Sequence, residues 1–151
     1  MGAIFDTVVR FFEEEEWSFT QREDQSLIQL MFQGDNGQWS CYAQAREDLA
    51  QLVFYSVCPV NVPEDKRLVV SEFLTRVNSN LLMGSFEMDF DDGQVRFRTG
   101  IAIGEMGLST GLVEPLVHAN LLLMDLCLPH LMTVLYGNAT PLEAIVNMES
   151  S

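Results

Sequence analysis

The stretch from Phe73 to Arg98, FLTRVNSNLLMGSFEMDFDDGQVRFR, constrains the fold more than any other part of the chain. It reads as the end of a helix, a short connection and a two-stranded hairpin. From Gly84 to Phe90 the residues alternate, with Phe86, Met88 and Phe90 on one side and Ser85, Glu87 and Asp89 on the other. Asp92-Gly93 is a strong hairpin-turn signal. A two-residue loop there sets Asp89 opposite Arg96, Glu87 opposite Arg98, Phe90 opposite Val95 and Met88 opposite Phe97. Every pair then matches in character, so pattern and turn chemistry agree on one register.

Three further antiparallel strands are expected at Leu27 to Gly34, Gln38 to Arg46 and Leu49 to Val57. Asn36-Gly37 supplies the first turn and Glu47-Asp48 the second. Ile28, Leu30, Phe32, Cys41, Ala43, Ala45, Ala50, Leu52 and Phe54 then share one face. Gln29, Met31, Gln33, Tyr42, Gln44, Gln51, Val53 and Tyr55 share the other. One apolar face and one mixed face predict a sheet covered by helices on one side. Met31, Tyr42, Val53 and Tyr55 are the candidate partner-binding residues, because methionine and aromatics are enriched at interfaces. The competing reading leaves them on a half-exposed sheet or under the first helix.

The helices follow from period 3.6. A first helix over Ala3 to Glu15 buries Phe5, Val8, Val9 and Phe12, and Glu13 to Glu16 form its solvated end. Pro63 opens a second helix, to Asn80, with Leu68, Val69, Phe73, Leu74 and Val77 as its stripe. The last long segment, Leu112 to Tyr136, is apolar nearly all round, with Glu114, His118 and Asp125 on one narrow stripe. A surface helix needs a single apolar stripe, so this one should be covered on two sides. Leu116, Leu123, Met124 and Leu128 are its candidate dimer or groove surface, and a homodimer is expected. A membrane span is disfavoured by Glu114, His118, Asn120 and Asp125 within the run, each mid-span acid costing roughly 2.5 to 3.5 kcal/mol. Pro129 is expected to kink or break the helix. Thr140-Pro141 opens a terminal helix, Leu142 to Met148. The expected fold is a single α+β domain over residues 1–151: a five-stranded antiparallel sheet, order α-βββ-α-ββ-α(α), with Phe32, Phe54, Phe86, Phe97 and Leu121 in the core.

Charge bears on partners. Acids number 22 against 8 basic residues, a net charge of -14. That opposes nucleic-acid binding and docking on anionic lipid. It is compatible with a basic or weakly charged protein partner, or with a solubility role. Cys41, Cys58 and Cys127 lie in apolar contexts without metal spacing, as for free thiols in a reducing cytoplasm. The N-terminus lacks a basic region followed by an apolar core, so no signal peptide is expected.

Several motifs invite chemistry. Gly107-Leu108-Ser109-Thr110-Gly111 spells G-x-S-x-G, with Asp125 and His130 following in hydrolase order. A nucleophile elbow sits on a parallel sheet, whereas these strands are antiparallel hairpins. Ser109 or Thr110 is expected to cap the last long helix instead. Glu87, Asp89, Asp91 and Asp92 suggest a cation loop, but an EF-hand counted from Asp89 would have Gln94 and Gly100 at its sixth and twelfth positions. His118 lies one turn from Glu114, as for a structural pair. No catalytic residue, cofactor or metal site is expected.

The run N-x-x-L-x-x-G-x-F-E-x-D-x-x-x-G-x-V-R-F-R, from Asn78 to Arg98, resembles the signature of the YbjN-like family. The helix at Pro63 and Leu131 to Ala144, with Gly137-Asn138 and Pro141, also fit it. The resemblance implies a fold similar to type III secretion chaperones, which are small, acidic and dimeric. It implies a non-catalytic protein-binding module, chaperone-like or regulatory, and a sensory-transduction-regulator label attaches to the family. A cytoplasmic adaptor with an unknown polypeptide partner is therefore the expected function. The alternative is a small-ligand sensor with its pocket between the sheet and the last helix.

Overall fold

Strand alternation and helical stripes assemble into two layers. The computed structural model describes residues 2–150. In chain order the elements are α1 (Ala3–Glu14), β1 (Thr20–Arg22), β2 (Leu27–Gln33), β3 (Gln38–Arg46), β4 (Gln51–Val57), α2 (Arg67–Asn78), β5 (Ser85–Met88), β6 (Val95–Ala102), α3 (Thr110–Leu135) and α4 (Pro141–Glu149). The strands form one six-stranded sheet, order β1-β2-β3-β4-β6-β5, with every neighbouring pair antiparallel. The sixth strand, β1, corrects the expectation of five. It is three residues long and exposed throughout, so it carries no alternation to read.

Each of the three hairpins expected from turn signals lies two residues away from its expected register. Gly34 bonds Gly37, which makes Asp35-Asn36 the β2–β3 loop. Arg46 pairs with Gln51 around a 3-10 turn at Glu47–Leu49, and Ala50, at φ 51°, is exposed there rather than in the core. Glu87 faces Arg96 and Ser85 faces Arg98, so the last hairpin closes through Phe90 to Gly93. A slip of two preserves the face of every side chain that stays within a strand, so apart from Ala50 and Phe90, which fall in turns, the apolar and polar sets stay as the alternation placed them. The longer last loop has a tertiary cause. The Val62 N–H donates to the Gly93 carbonyl at 2.8 Å, and a Cβ at Gly93 (φ 79°) would fall 2.0 Å from the Val62 oxygen. Arg67 adds Nη1 to the Phe90 carbonyl at 2.9 Å and Nε to the Val62 carbonyl at 3.1 Å. Phe90 is thereby held in the loop, half exposed, instead of facing Val95.

All four helices lie on one side of the sheet. Phe12, Phe54, Phe73, Phe97, Met124 and Leu131 are fully buried between the layers, and Phe86 and Leu121 nearly so. Phe32 is only partly buried, set between the rings of Trp17 and Trp39. In α2 the buried stripe is Val70, Phe73, Leu74 and Val77. Leu68 is 80% exposed: two residues before Val70, it lies roughly 160° around the helix from it and faces solvent.

α3 runs unbroken past Pro129. Proline has no N–H, so the Asp125 carbonyl one turn earlier loses its helical donor. The Asn36 side-chain amide donates to that carbonyl at 3.0 Å. The Asp125 carboxylate in turn accepts the Asp35 and Asn36 backbone N–H groups at 3.0 and 2.8 Å. The β2–β3 turn thus docks on the helix where the proline frees an acceptor. Glu47 does similar work at α1, accepting the Ile4 and Phe5 N–H groups at 3.2 and 2.9 Å. By length and composition α3 could cross a membrane. Here it packs on β4 and β6, with α1, α2 and α4 beside it, so its apolarity is that of a core helix.

Candidate polypeptide-binding face

The side of the sheet away from the helices is uncovered. Its residues form cross-strand rows. One row runs Arg22, Leu27, Gln44, Val53, Gly100; the next runs Thr20, Gln29, Tyr42, Tyr55, Arg98, Ser85; a third runs Met31, Ser40, Val57, Arg96, Glu87. Met31, Tyr42, Val53 and Tyr55 all belong to these rows. α1 packs on the opposite face and covers none of them. Met31 is 57% exposed and accepts the Ser40 hydroxyl on sulfur at 3.1 Å; Tyr42, Val53 and Tyr55 are partly exposed.

Tyr42 and Tyr55 stand directly opposite each other, near the middle of the sheet. The Arg96 guanidinium lies 4.5 Å from the centroid of the Tyr55 ring, a cation–π distance. Glu87 joins both neighbouring arginines: its Oε1 accepts Arg96 Nε, and its Oε2 lies 3.8 Å from Arg98. These groups are part-exposed, so the pairs orient side chains more than they stabilise the fold. Between them lies a shallow depression of about 320 Å³, lined by Leu27, Tyr42, Gln44, Tyr55, Val57, Gln94 and Arg96. An apolar and aromatic floor with hydrogen-bonding rims suits a polypeptide better than a small molecule, which needs deeper enclosure.

The candidate dimer or groove residues fall differently. Leu116, Met124 and Leu128 point into the core of this chain, with exposures of 3%, 0% and 3%, and Leu123 is half-buried against it. The first three are not surface. The outward leucines of α3 are Leu112, Leu122 and Leu126. A helix apolar on every side gives no periodicity from which to choose its inner face.

The space expected to hold a ligand, between sheet and α3, is filled. Phe54, Phe97, Leu121 and Met124 occupy it, with one polar clasp at its centre. The Asn120 side-chain amide, fully buried, donates to the Phe54 and Phe97 carbonyls at 2.9 and 3.0 Å and to Thr99 Oγ1 at 3.1 Å. The Thr99 hydroxyl donates to the Leu116 carbonyl at 2.9 Å. This clasp ties α3 to β4 and β6. Sequence reading passed over it, since one Asn in an apolar helix signals a polar contact but not its partner.

The residues of the hydrolase-like motif have other duties. Ser109 caps α3, its Oγ accepting the Leu112 N–H at 3.3 Å, while Asp125 holds the β2–β3 turn. His118 does not pair with Glu114. Its Nε2 lies 3.4 Å from the carboxylate of Glu15, the C-cap of α1, and its ring meets Phe11 and Trp17 edge-on. Burial pushes the Cys41 and Cys127 thiols up to about 12 and raises that of Cys58, so all three are poor nucleophiles. Among the described residues no cluster of three or more His, Cys, Asp or Glu is arranged to hold a metal ion.

The model of the YbjN family, described as "Putative bacterial sensory transduction regulator", matches residues 5–131. The chain belongs to the YbjN family. Among solved structures it is similar to YbjN from E. coli, at 13% identity and TM-score 0.60, over 89% of this chain and 90% of that one. It is similar also to a chain of the HopA1–SchA chaperone–effector complex, at 14% identity and TM-score 0.53, over 80% of this chain and 91% of the other. A chain of the ExsC–ExsE complex matches at 13% identity and TM-score 0.51, over 78% and 85%. No curated protein matches by sequence. At such identities the likeness is one of fold: an α+β domain with an antiparallel sheet, of the kind seen in a chain of a chaperone–effector complex.

Proposed function

We propose that this YbjN-family chain is a non-catalytic protein-binding module, a chaperone-like or regulatory adaptor of the cytoplasm, and that it takes its partner on the open face of the sheet. The observation that carries the reading is that face itself. Three neighbouring strands, β2, β3 and β4, present Met31, Tyr42, Val53, Tyr55 and Val57 among glutamines, with the arginines of β1 and β6 on either side and no helix over them. The similarity in fold to a chain of a chaperone–effector complex supports it. A pulldown from the native cytosol tests it, comparing the natural chain with the Tyr42→Ser/Tyr55→Ser variant. A polypeptide recovered by the first and lost by the second is expected. Equal recovery by both moves the binding site off this face. No recovery, together with a metabolite that raises the melting temperature, replaces the adaptor with a ligand sensor.

The homodimer belongs to the same reading, with its surface moved. Leu112, Leu122 and Leu126 form the exposed apolar stripe of α3 and replace Leu116, Met124 and Leu128 as the contact. Sedimentation at micromolar concentration checks this: Leu122→Glu/Leu126→Glu should convert a dimer to a monomer, and a natural chain already monomeric removes it.

A further inference from the structure

We propose that the open face recognises an acidic polypeptide segment, with carboxylates toward its two ends held by arginines and an apolar or aromatic middle laid over Tyr42, Val53 and Tyr55. This rests on reading the face as a protein-docking surface and adds the chemistry of what docks. The net charge of -14 points the other way, toward a basic partner, but that charge is unevenly placed. Every charged residue within the six strands lies on the open face: Arg22, Arg46, Arg96 and Arg98 against Glu87 alone. Half of the 8 basic residues thus stand on this one surface, and 21 of the 22 acids lie on helices, turns and loops. The domain is an acidic body with one basic face.

The arginines are only partly engaged. Arg22 bonds the Gln29 side-chain carbonyl at 3.3 Å and forms no ion pair among the described residues. Arg46 stands 3.9 Å from Asp48 in the adjoining turn. Arg96 and Arg98 share the single carboxylate of Glu87. Asp48, the acids Glu23 and Asp24 beside Arg22, and Asp89 beyond Glu87 form an acidic rim, while the centre between the arginines is uncharged. Four interstrand spacings separate Arg22 from Arg98, about 19 Å at the usual strand interval. That distance equals about six residues of extended chain or about thirteen of helix. Tyr42, Tyr55 and Val53 lie between, and guanidinium forks match carboxylates in a way that ammonium groups do not.

A nucleic acid fits less well. Its phosphates continue past the face into the field of the surrounding acids, whereas a short segment places charge only where arginines stand. With screening over about 8 Å at physiological salt, the local face decides for the segment and the whole body decides for the polymer.

The test pans a random-peptide display library on the full chain, counter-selects on Arg22→Gln/Arg98→Gln, and measures enriched peptides by anisotropy against both proteins and against Tyr42→Ser/Tyr55→Ser. Enriched peptides carrying Asp or Glu around an aromatic or aliphatic centre are expected. Their affinity should fall at least about tenfold in the arginine variant and weaken with salt. Matching melting temperatures confirm that the variants are folded. Neutral or basic peptides that bind both proteins alike, yet are lost in the tyrosine variant, overturn the acidic chemistry and leave the docking surface standing. Peptides indifferent to both variants, or no enrichment, overturn both. Tighter binding of a single-stranded oligonucleotide, or concentration-dependent self-association lost in the arginine variant, assigns the face to nucleic acid or to another copy of the chain and overturns the proposal.

Discussion

Phe54 and Tyr55 are neighbours on one strand and belong to different worlds. Phe54 is fully buried, packed near Phe12 and capped by the amide that Asn120 sends to its carbonyl. Tyr55 is partly exposed, with one arginine over its ring and another across the strand pair. The same contrast repeats along the sheet. The covered face is apolar, uncharged, and locked by the Asn120–Thr99 clasp and the docked β2–β3 turn. The open face holds every strand charge and the aromatic pair. Stability resides on the first face, and the second is left free to bind because the first has already built the core.

The contrast breaks most visibly under truncation. Phe54→Ala should cost about 3 to 5 kcal/mol in urea unfolding, while Tyr55→Ala costs under about 1 kcal/mol. Comparable losses at both positions would mean that the two faces are not distinct. Next in size is Asp125→Ala. It removes two charge-assisted hydrogen bonds to the β2–β3 turn and should cost about 1.5 to 3 kcal/mol, with faster amide exchange at Asp35 and Asn36 than elsewhere.

Alkali should sharpen the same comparison. Folding keeps the Cys41 and Cys127 thiols protonated at a pH where the unfolded chain ionises them, because burial lifts both from 9.0 to about 12. Their contribution is fully present below pH 9.0 and is lost as pH rises towards about 12. Urea midpoints should therefore fall over that window, and a thiol reagent at neutral pH should label the chain only on unfolding. Rapid native labelling would mean that the covered face is loosely packed. The smallest effect belongs to His118→Ala, which breaks a half-exposed contact with Glu15 and should shift stability by no more than about 1 kcal/mol.

Much of this division is legible in the residues. Within the strands alternation assigns the faces correctly even where the turns differ, since a slip of two leaves side chains where they were; Ala50 and Phe90, drawn into the turns, leave the apolar set. The registers themselves were not legible, because tertiary contacts set the turns: Asp125 reaches over Asp35-Asn36, and Val62 and Arg67 hold the loop at Gly93. β1 is too short to announce itself. The inner side of α3 was hidden by its uniform apolarity, which put Leu116, Met124 and Leu128 on the surface when they belong to the core. Tyr42 and Tyr55 could be placed on the mixed face from pattern alone. The basic character of that face could not. It needs the pairing of β4 with β6, a contact between hairpins distant in sequence, to bring Arg96 and Arg98 beside Tyr55.

Site-specific photo-cross-linking in the native cytosol shows which face of the domain meets a polypeptide. A photoreactive phenylalanine analogue is placed singly at Tyr42 or Tyr55, and for comparison at Leu122 or Leu126 on the outer side of α3. A discrete polypeptide adduct is expected from positions 42 and 55, reduced by Arg22→Gln/Arg98→Gln. Adducts from α3 alone, with none from the sheet, would contradict docking on the open face.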